Sequence, residues 1–238
     1  MNNKNINNSH FPKILLSLSL IFFFLLSFGN VFAAPTITVD TLTTNDQTPE
    51  LTGDISLDGE SITSMQLILD GVTYGDSSIT RTTTTWTLAD NVITSNLSEA
   101  TYDVAVQMNT SVTGSVTDST SDELVIDTTA PTVSITLSDY ALIVGETSTV
   151  TFTFSEAPIG FTSDDVILTD ANGTIGEITN EGLVYSGTFT PTDDLEDAEN
   201  VITVGTSWTD AAGNSPIGTT DSSNYEIDTQ KNLHYLLH

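Results

Sequence analysis

The segment 149–155 reads TVTFTFS, in which Val150, Phe152 and Phe154 alternate with hydroxyl side chains. Only an extended strand puts every second residue on one face, and this period of two is what most constrains the fold. The same alternation runs through TYDVAVQM (101–108), LVYSGTF (183–189) and NVITVGTSW (200–208). Clusters of Gly, Asn and Asp interrupt the runs roughly every 8–14 residues, the rhythm of an antiparallel sandwich or barrel. Beyond the first 34 residues no window carries the apolar stripe of an amphipathic helix.

An internal repeat divides the chain. SDELVIDT (121–128) and SSNYEIDT (222–229) share Ser, Ile, Asp and Thr at an offset of 101 residues, and APTITV (34–39) and APTVSI (130–135) share Ala-Pro-Thr at an offset of 96. Each unit opens on Ala-Pro-Thr and closes on a strand ending in Ile-Asp-Thr. Units of about 100 residues with about seven strands fit immunoglobulin-like sandwiches. The expectation is an all-β chain: two tandem immunoglobulin-like β-sandwiches, residues 34–128 and 129–229, after a signal peptide over 1–33 and before a frayed tail over 230–238. Pro35 and Pro131 fall at strand starts, where a missing N–H costs no ladder bond. Trp86 and Trp208 lie within alternating runs and read as core rather than as sugar-stacking platforms. DANG (170–173) reads as a hairpin turn through Asn172-Gly173.

The leader is legible by layout. Lys4 and Lys13 flank a polar opening, an apolar run of 15 residues spans Ile14–Phe28, and Val31-Phe32-Ala33 supplies small or modest residues for a signal peptidase. A bilayer span takes about 20 apolar residues, so the run predicts export with cleavage after Ala33 and a mature chain that does not insert in a membrane. The chain is expected to be secreted or displayed at the cell surface.

Charge narrows the partners. The chain carries 32 Asp and Glu against 4 Lys and Arg, a formal net charge of −28. Two of those cations belong to the leader, leaving Arg81 and Lys231. Such a surface repels nucleic acid and anionic lipid, and repels itself unless cations offset it. Cysteine is absent, so no disulfide compensates, whereas hard cations that prefer carboxylate oxygen could.

Residues 131–229 resemble a bacterial Ig-like domain of the kind arrayed in large surface adhesins, through VTFTFSEAP, FTSDDVILT, GTFTPTDD, WTDAAGN and a closing YEID. Residues 35–128 resemble a second bacterial Ig-like subtype through TNDQTPELTG, LDGVTY, WTLAD and ATYDVAV. The first unit departs from the pattern at MNTSVTGSVTDST, where such domains carry an Asp-x-x-Gly-Asn turn. The resemblance implies neighbouring Ig-like domains as partners in a longer array, and calcium at the linkers. EIDTQKN stands where an array would continue into another Ala-Pro-Thr strand, so the chain reads as a piece of a longer adhesin.

The linker VIDTTAPTVSIT (125–136) places Asp127 at a strand end. In an Ig sandwich the B–C and F–G loops gather at the end where the chain comes in. In the second unit those loops are SEAPIG (155–160) and TDAAGNSP (209–216). Topology therefore draws Asp127, Glu156, Asp210 and Asn214 together, with Asp164 or Asp165 from the next strand start. Carboxylates, an amide carbonyl and backbone oxygens without His or Cys select Ca²⁺, which takes about 6–8 oxygen ligands, and disfavour zinc and copper. The tail pair His234 and His238, four apart, would make a metal pair on a helix, but a segment so short and so terminal is expected to fray.

Catalysis is not expected. The units hold no His or Cys and one cation, Arg81, which removes triad, zinc-hydrolase and phosphate-clamp chemistry. A carboxylate pair for glycoside hydrolysis would find little cleft in a sandwich this small. The leading expectation is a Ca²⁺-stiffened spacer in adhesion. The alternative is a module that binds a cell-surface glycan or protein on the irregular 109–120 loop of the first unit.

Overall fold

The computed structural model describes residues 33–231. The expected leader, apart from Ala33, and the tail histidines His234 and His238 lie outside the described residues. Among the described residues, the helical content is a single 3-10 turn at Ser163–Asp165, and the rest is strand and connection.

The first sandwich carries β1 (Thr36–Ile37), β2 (Leu42–Thr44), β3 (Leu51–Ser56), β4 (Ile62–Leu69) and β5 (Val72–Gly75). Then come β6 (Ile79–Arg81), β7 (Thr85–Leu88), β8 (Ala100–Tyr102), β9 (Ala105–Thr110), β10 (Ser115–Thr117) and β11 (Leu124–Ile126). One sheet has the order β1-β3-β7-β6 and faces another of order β10-β9-β4-β5. The last strand, β11, lies between β2, parallel to it, and β8, antiparallel to it. Alternation now has its physical meaning: β3 buries Leu51, Gly53 and Ile55 and turns the residues between them outward. Leu67, Trp86, Leu88, Val104, Met108 and Leu124 fill the space between the sheets.

Trp86 is fully buried and its indole N–H donates to Thr38 O at 2.8 Å. The approach requires Gly53, since a Cβ there would stand 1.9 Å from Thr38 O and 2.5 Å from the indole nitrogen. The stretch expected as an irregular 109–120 loop is instead mostly a hairpin: β9 pairs with β10 through Asn109↔Ser115, and Thr110 N–H closes the turn on Gly114 O. The missing Asp-x-x-Gly-Asn turn marks a tighter connection, not a looser one.

The second sandwich carries β12 (Val133–Leu137), β13 (Ala141–Ile143), β14 (Ser148–Phe154), β15 (Val166–Ile167) and β16 (Gly173–Ile175). It continues with β17 (Thr179–Glu181), β18 (Val184–Pro191), β19 (Glu196–Asn200), β20 (Thr203–Val204), β21 (Thr220–Asp221) and β22 (Tyr225–Asp228). The sheet β12-β14-β18-β16 opposes β15-β20-β21, while β22 pairs in parallel with β13 and antiparallel with β19. Phe152, Phe154, Phe189, Trp208 and Tyr225 form its core.

Two local expectations are corrected here. Asn172-Gly173 is not a hairpin turn, because β15 pairs with β20 and β16 with β18; the turn carries the chain from one sheet to the other. Its glycine lies where a Cβ would stand 2.4 Å from the Phe189 ring, and the Asn172 amide donates to Asp197 and Asn200. Trp208 is buried as expected, but from the loop after β20 rather than from a strand. Its indole N–H folds back onto Gly205 O at 3.0 Å.

Candidate metal centre

The loop after β14 and the loop after β20 are both pinned to the core close to their carboxylates. Phe154 meets Trp208 edge-on at 4.9 Å between centroids, and Phe161 packs against Phe154, Tyr185 and Trp208. Ile159 and Thr209 exchange backbone hydrogen bonds of 2.6 and 3.1 Å. Glu156 stands just before this bridge on one loop and Asp210 just after it on the other, so the core fixes the spacing of the two acids.

Asp210 is 1% exposed. Its Oδ1 accepts from Asn214 N and its Oδ2 from the Asn214 amide, both at 2.8 Å, while its own N–H donates to Asn214 O. These bonds close the DAAGN loop, and Gly213 takes the left-handed φ of +91° that the closure needs. The loop then meets the first sandwich, whose Asn45 N–H donates to Ala212 O at 3.0 Å.

Asp127 comes in from the linker. Its N–H donates to Thr44 O, extending the β2–β11 ladder by one step, and its Oδ1 accepts from Thr129 N at 2.9 Å. One carboxylate oxygen from each of Asp127, Glu156 and Asp210 falls within 4.8 Å of the others. Donors on one Ca²⁺ at about 2.3–2.6 Å can stand up to roughly twice that distance apart, so the spacing fits a shared ion. The set offers oxygen alone, the chemistry of a hard cation.

Electrostatics point the same way. Burial pushes the Glu156 carboxyl above the usual carboxylate range, and the charges of Asp210, Asp127 and Glu99 add to it. Every charge acting on Glu156 is negative. The cations among the described residues are Arg81, paired with Asp76, and Lys231. Carboxylates in this position repel until a proton or a cation joins them.

Of the five residues expected from sequence, the structure unites Asp127, Glu156 and Asp210 directly. Asn214 joins them in another role: its amide NH₂ donates to Asp127 O and Asp210 Oδ2, so it braces the acids instead of offering its carbonyl. Asp165 lies apart from the cluster. Its Oδ2 accepts from Thr162 N at 2.8 Å and completes a capping box on the 3-10 turn, and Asp164 is exposed on that turn. Thr162-Ser-Asp-Asp165 was the sequence signal for this, a hydroxyl followed three residues on by an acid. Glu99 was missed. It precedes β8, and no motif marks it; only the β8–β11 pairing brings it to the linker.

Residues 127–227 match the bacterial Ig-like domain family, a span that holds all three clustered acids. No curated protein sequence matches the chain. Similar solved structures include the fibronectin(III)-like modules of CbhA from Clostridium thermocellum, 12% identical at a TM-score of 0.41, over 82% of this chain and 94% of that one. The titin I-band fragment I67–I69 is 9% identical at a TM-score of 0.41, over 82% of this chain and 65% of the fragment. FdeC, an Escherichia coli adhesin, is 14% identical at a TM-score of 0.39, over 81% of this chain. The chain spans 63% of the FdeC structure.

Proposed function

We propose that the chain is an exported, non-catalytic pair of Ig-like modules whose joint binds Ca²⁺ and is stiffened by it, serving as a spacer or adhesion segment of a secreted or surface protein. The observation that carries this reading is the meeting of Asp127, Glu156 and Asp210 within 4.8 Å. Asp127 belongs to the last strand of one sandwich, while Glu156 and Asp210 belong to two loops of the next. A cation held among them therefore bonds both bodies at once and opposes bending between them. Backbone carbonyls and water would complete the roughly 6–8 ligands that Ca²⁺ takes.

Neighbouring Ig-like modules are the partners this reading implies, and a nucleic acid or an anionic membrane is disfavoured by the charge. Among the described residues no helix is long and apolar enough to cross a membrane. The test is calorimetric titration of the mature chain with Ca²⁺, with Mg²⁺ and NaCl at matched ionic strength. Extracellular modules bind Ca²⁺ with Kd of about 10⁻⁴–10⁻³ M, and a Ca²⁺-specific isotherm in that range is expected. Identical responses to all three salts would reduce the joint to a screened patch of charge.

A further inference from the structure

The linker is also held by a fourth acid, Glu99, which lines the same recess as Asp127 and Glu156. Glu99 Oε2 accepts from Thr129 Oγ1 at 2.8 Å, Thr128 Oγ1 at 3.1 Å and Thr128 N at 3.3 Å. The same bonds, led by the Thr129 hydroxyl, hold the Glu99 carboxyl below the usual carboxylate range. Its base is firm. Leu97 is buried and exchanges hydrogen bonds with Gln47 through its backbone N–H and carbonyl, and the Tyr102 hydroxyl donates to Ser98 O. Thr129, gripped by Glu99, also donates its N–H to Asp127 Oδ1. A chain of contacts thus runs from the first sandwich through Glu99 and Thr129 to the carboxylate that meets Glu156 and Asp210.

The repeat supplies an internal comparison. Asp228 closes the second Ile-Asp-Thr as Asp127 closes the first, and Glu196 lies opposite Asp228 on the neighbouring strand. Asp127 and Glu99 lie in the same relation, one step beyond the pair Ile126↔Ala100. At the second position the grip is missing. Thr229 is buried and turns its hydroxyl inward to Thr192 O and Leu195 O rather than to Glu196. The matching turn is slack: Gln230 N stands 3.4 Å from Asp228 Oδ1, against 2.9 Å for Thr129 N on Asp127. The two endings thus differ in their hold: Thr128 and Thr129 both bond Glu99, whereas Thr229 turns inward and Gln230 stands in the place of Thr129.

We propose that Glu99 is a positioning residue, a latch that fixes the linker and aims the Asp127 carboxylate before any cation arrives. Ordering the linker beforehand removes an entropic cost that ligand binding would otherwise carry. The effect on cation affinity rests on the reading of the joint as a Ca²⁺ site; the latch itself does not. Glu99 is exposed, so its replacement leaves the first sandwich intact.

The experiment uses the mature chain with one spin label on each sandwich, comparing the parent with Glu99→Ala and Glu99→Gln. In EDTA, Glu99→Ala broadens the inter-label distance distribution, while Glu99→Gln, which keeps an acceptor oxygen, preserves the parent's narrow one. In a Ca²⁺ titration, Glu99→Ala loses affinity by about 10-fold or more, the usual consequence of removing a group that orients a ligand, and Glu99→Gln retains most of it. A Glu99→Ala distribution as narrow as the parent's overturns the latch, as does a Glu99→Gln distribution as broad as that of Glu99→Ala. If the parent binds no Ca²⁺, the reading of the joint fails, and the EDTA comparison still decides the latch.

Discussion

The Asn214 side-chain amide donates to the backbone oxygen of Asp127 at 2.9 Å, across 87 positions of sequence, and to Asp210 Oδ2 at 2.8 Å. One planar group therefore braces two of the three clustered acids and ties the linker to the loop it abuts. Replacing it by alanine strips both acceptors of their donor. Leaving part-buried acceptors unpaired costs about 1–3 kcal/mol. For a domain of about 100 residues, each kcal/mol lowers the melting temperature by roughly 4–8 °C. Asn214→Ala should therefore melt its second sandwich early in scanning calorimetry with EDTA present, leaving the first transition in place. An unchanged second transition would show that water replaces the amide at no cost.

Gly53 provides a control confined to the first sandwich. Any Cβ there meets Thr38 O at 1.9 Å, which is backbone, and the Trp86 indole at 2.5 Å. Overpacking of this kind costs about 1–3 kcal/mol or more. Gly53→Ala should lower the first transition and alter Trp86 fluorescence while the second sandwich keeps its melting point. A shift of both transitions by the same amount would mean that the sandwiches unfold as one unit.

How much of this the sequence disclosed depends on the distance over which each feature is decided. Alternation within TVTFTFS is local, and β14 buries Ser148, Val150, Phe152 and Phe154 as the pattern requires. The meeting of Asp127, Glu156 and Asp210 was legible because sandwich topology alone sends two loops to the end where the linker arrives. Roles set by individual hydrogen bonds were not. Asn214 could equally have turned its carbonyl inward, and only the two oxygens facing its amide decide otherwise. Glu99 depends on the register of β8 against β11, which no short motif encodes. Asn172-Gly173 has the composition of a hairpin, yet the packing of Gly173 under Phe189 makes it a crossing between sheets.

At the far end of the first sandwich, Glu60 clamps the β9–β10 hairpin. The Thr110 and Thr113 hydroxyls, with the Thr113 and Val112 N–H groups, hold its carboxyl down to about 2 from the ordinary 4.5. A depressed folded-state pKa gives stability that is present above the unfolded value and lost as pH falls through the folded one. The tip should therefore keep its structure above about pH 4.5 and loosen towards pH 2. Amide exchange at Val112 and Thr113 measures this, and Glu60→Gln should flatten the pH profile. A profile that Glu60→Gln leaves unaltered would assign the clamp to the backbone turn alone.

Glu156 behaves oppositely to Glu60. Glu156 has a raised carboxyl, so without metal its ionisation works against the folded joint as pH rises above the ordinary 4.5. Glu156→Gln should therefore stabilise the joint in EDTA at neutral pH, and the gain should vanish in acid. With Ca²⁺ the order reverses, because the parent gains a bound ion and the variant lacks a ligand. Free Ca²⁺ at ten times Kd stabilises the parent by roughly 1.4 kcal/mol, several degrees for a domain of this size. Relief of general repulsion adds a part that any salt supplies, so Mg²⁺ and Na⁺ at equal ionic strength set the baseline. Asp127→Asn should remove the Ca²⁺-specific part as Glu156→Gln does. Asp210 is unsuitable for this test, since both of its oxygens organise the Asn214 loop and its loss would confuse binding with folding. If the two variants keep the parent's Ca²⁺-specific shift, the ion lies elsewhere on the acidic surface and the joint is held by hydrogen bonds alone.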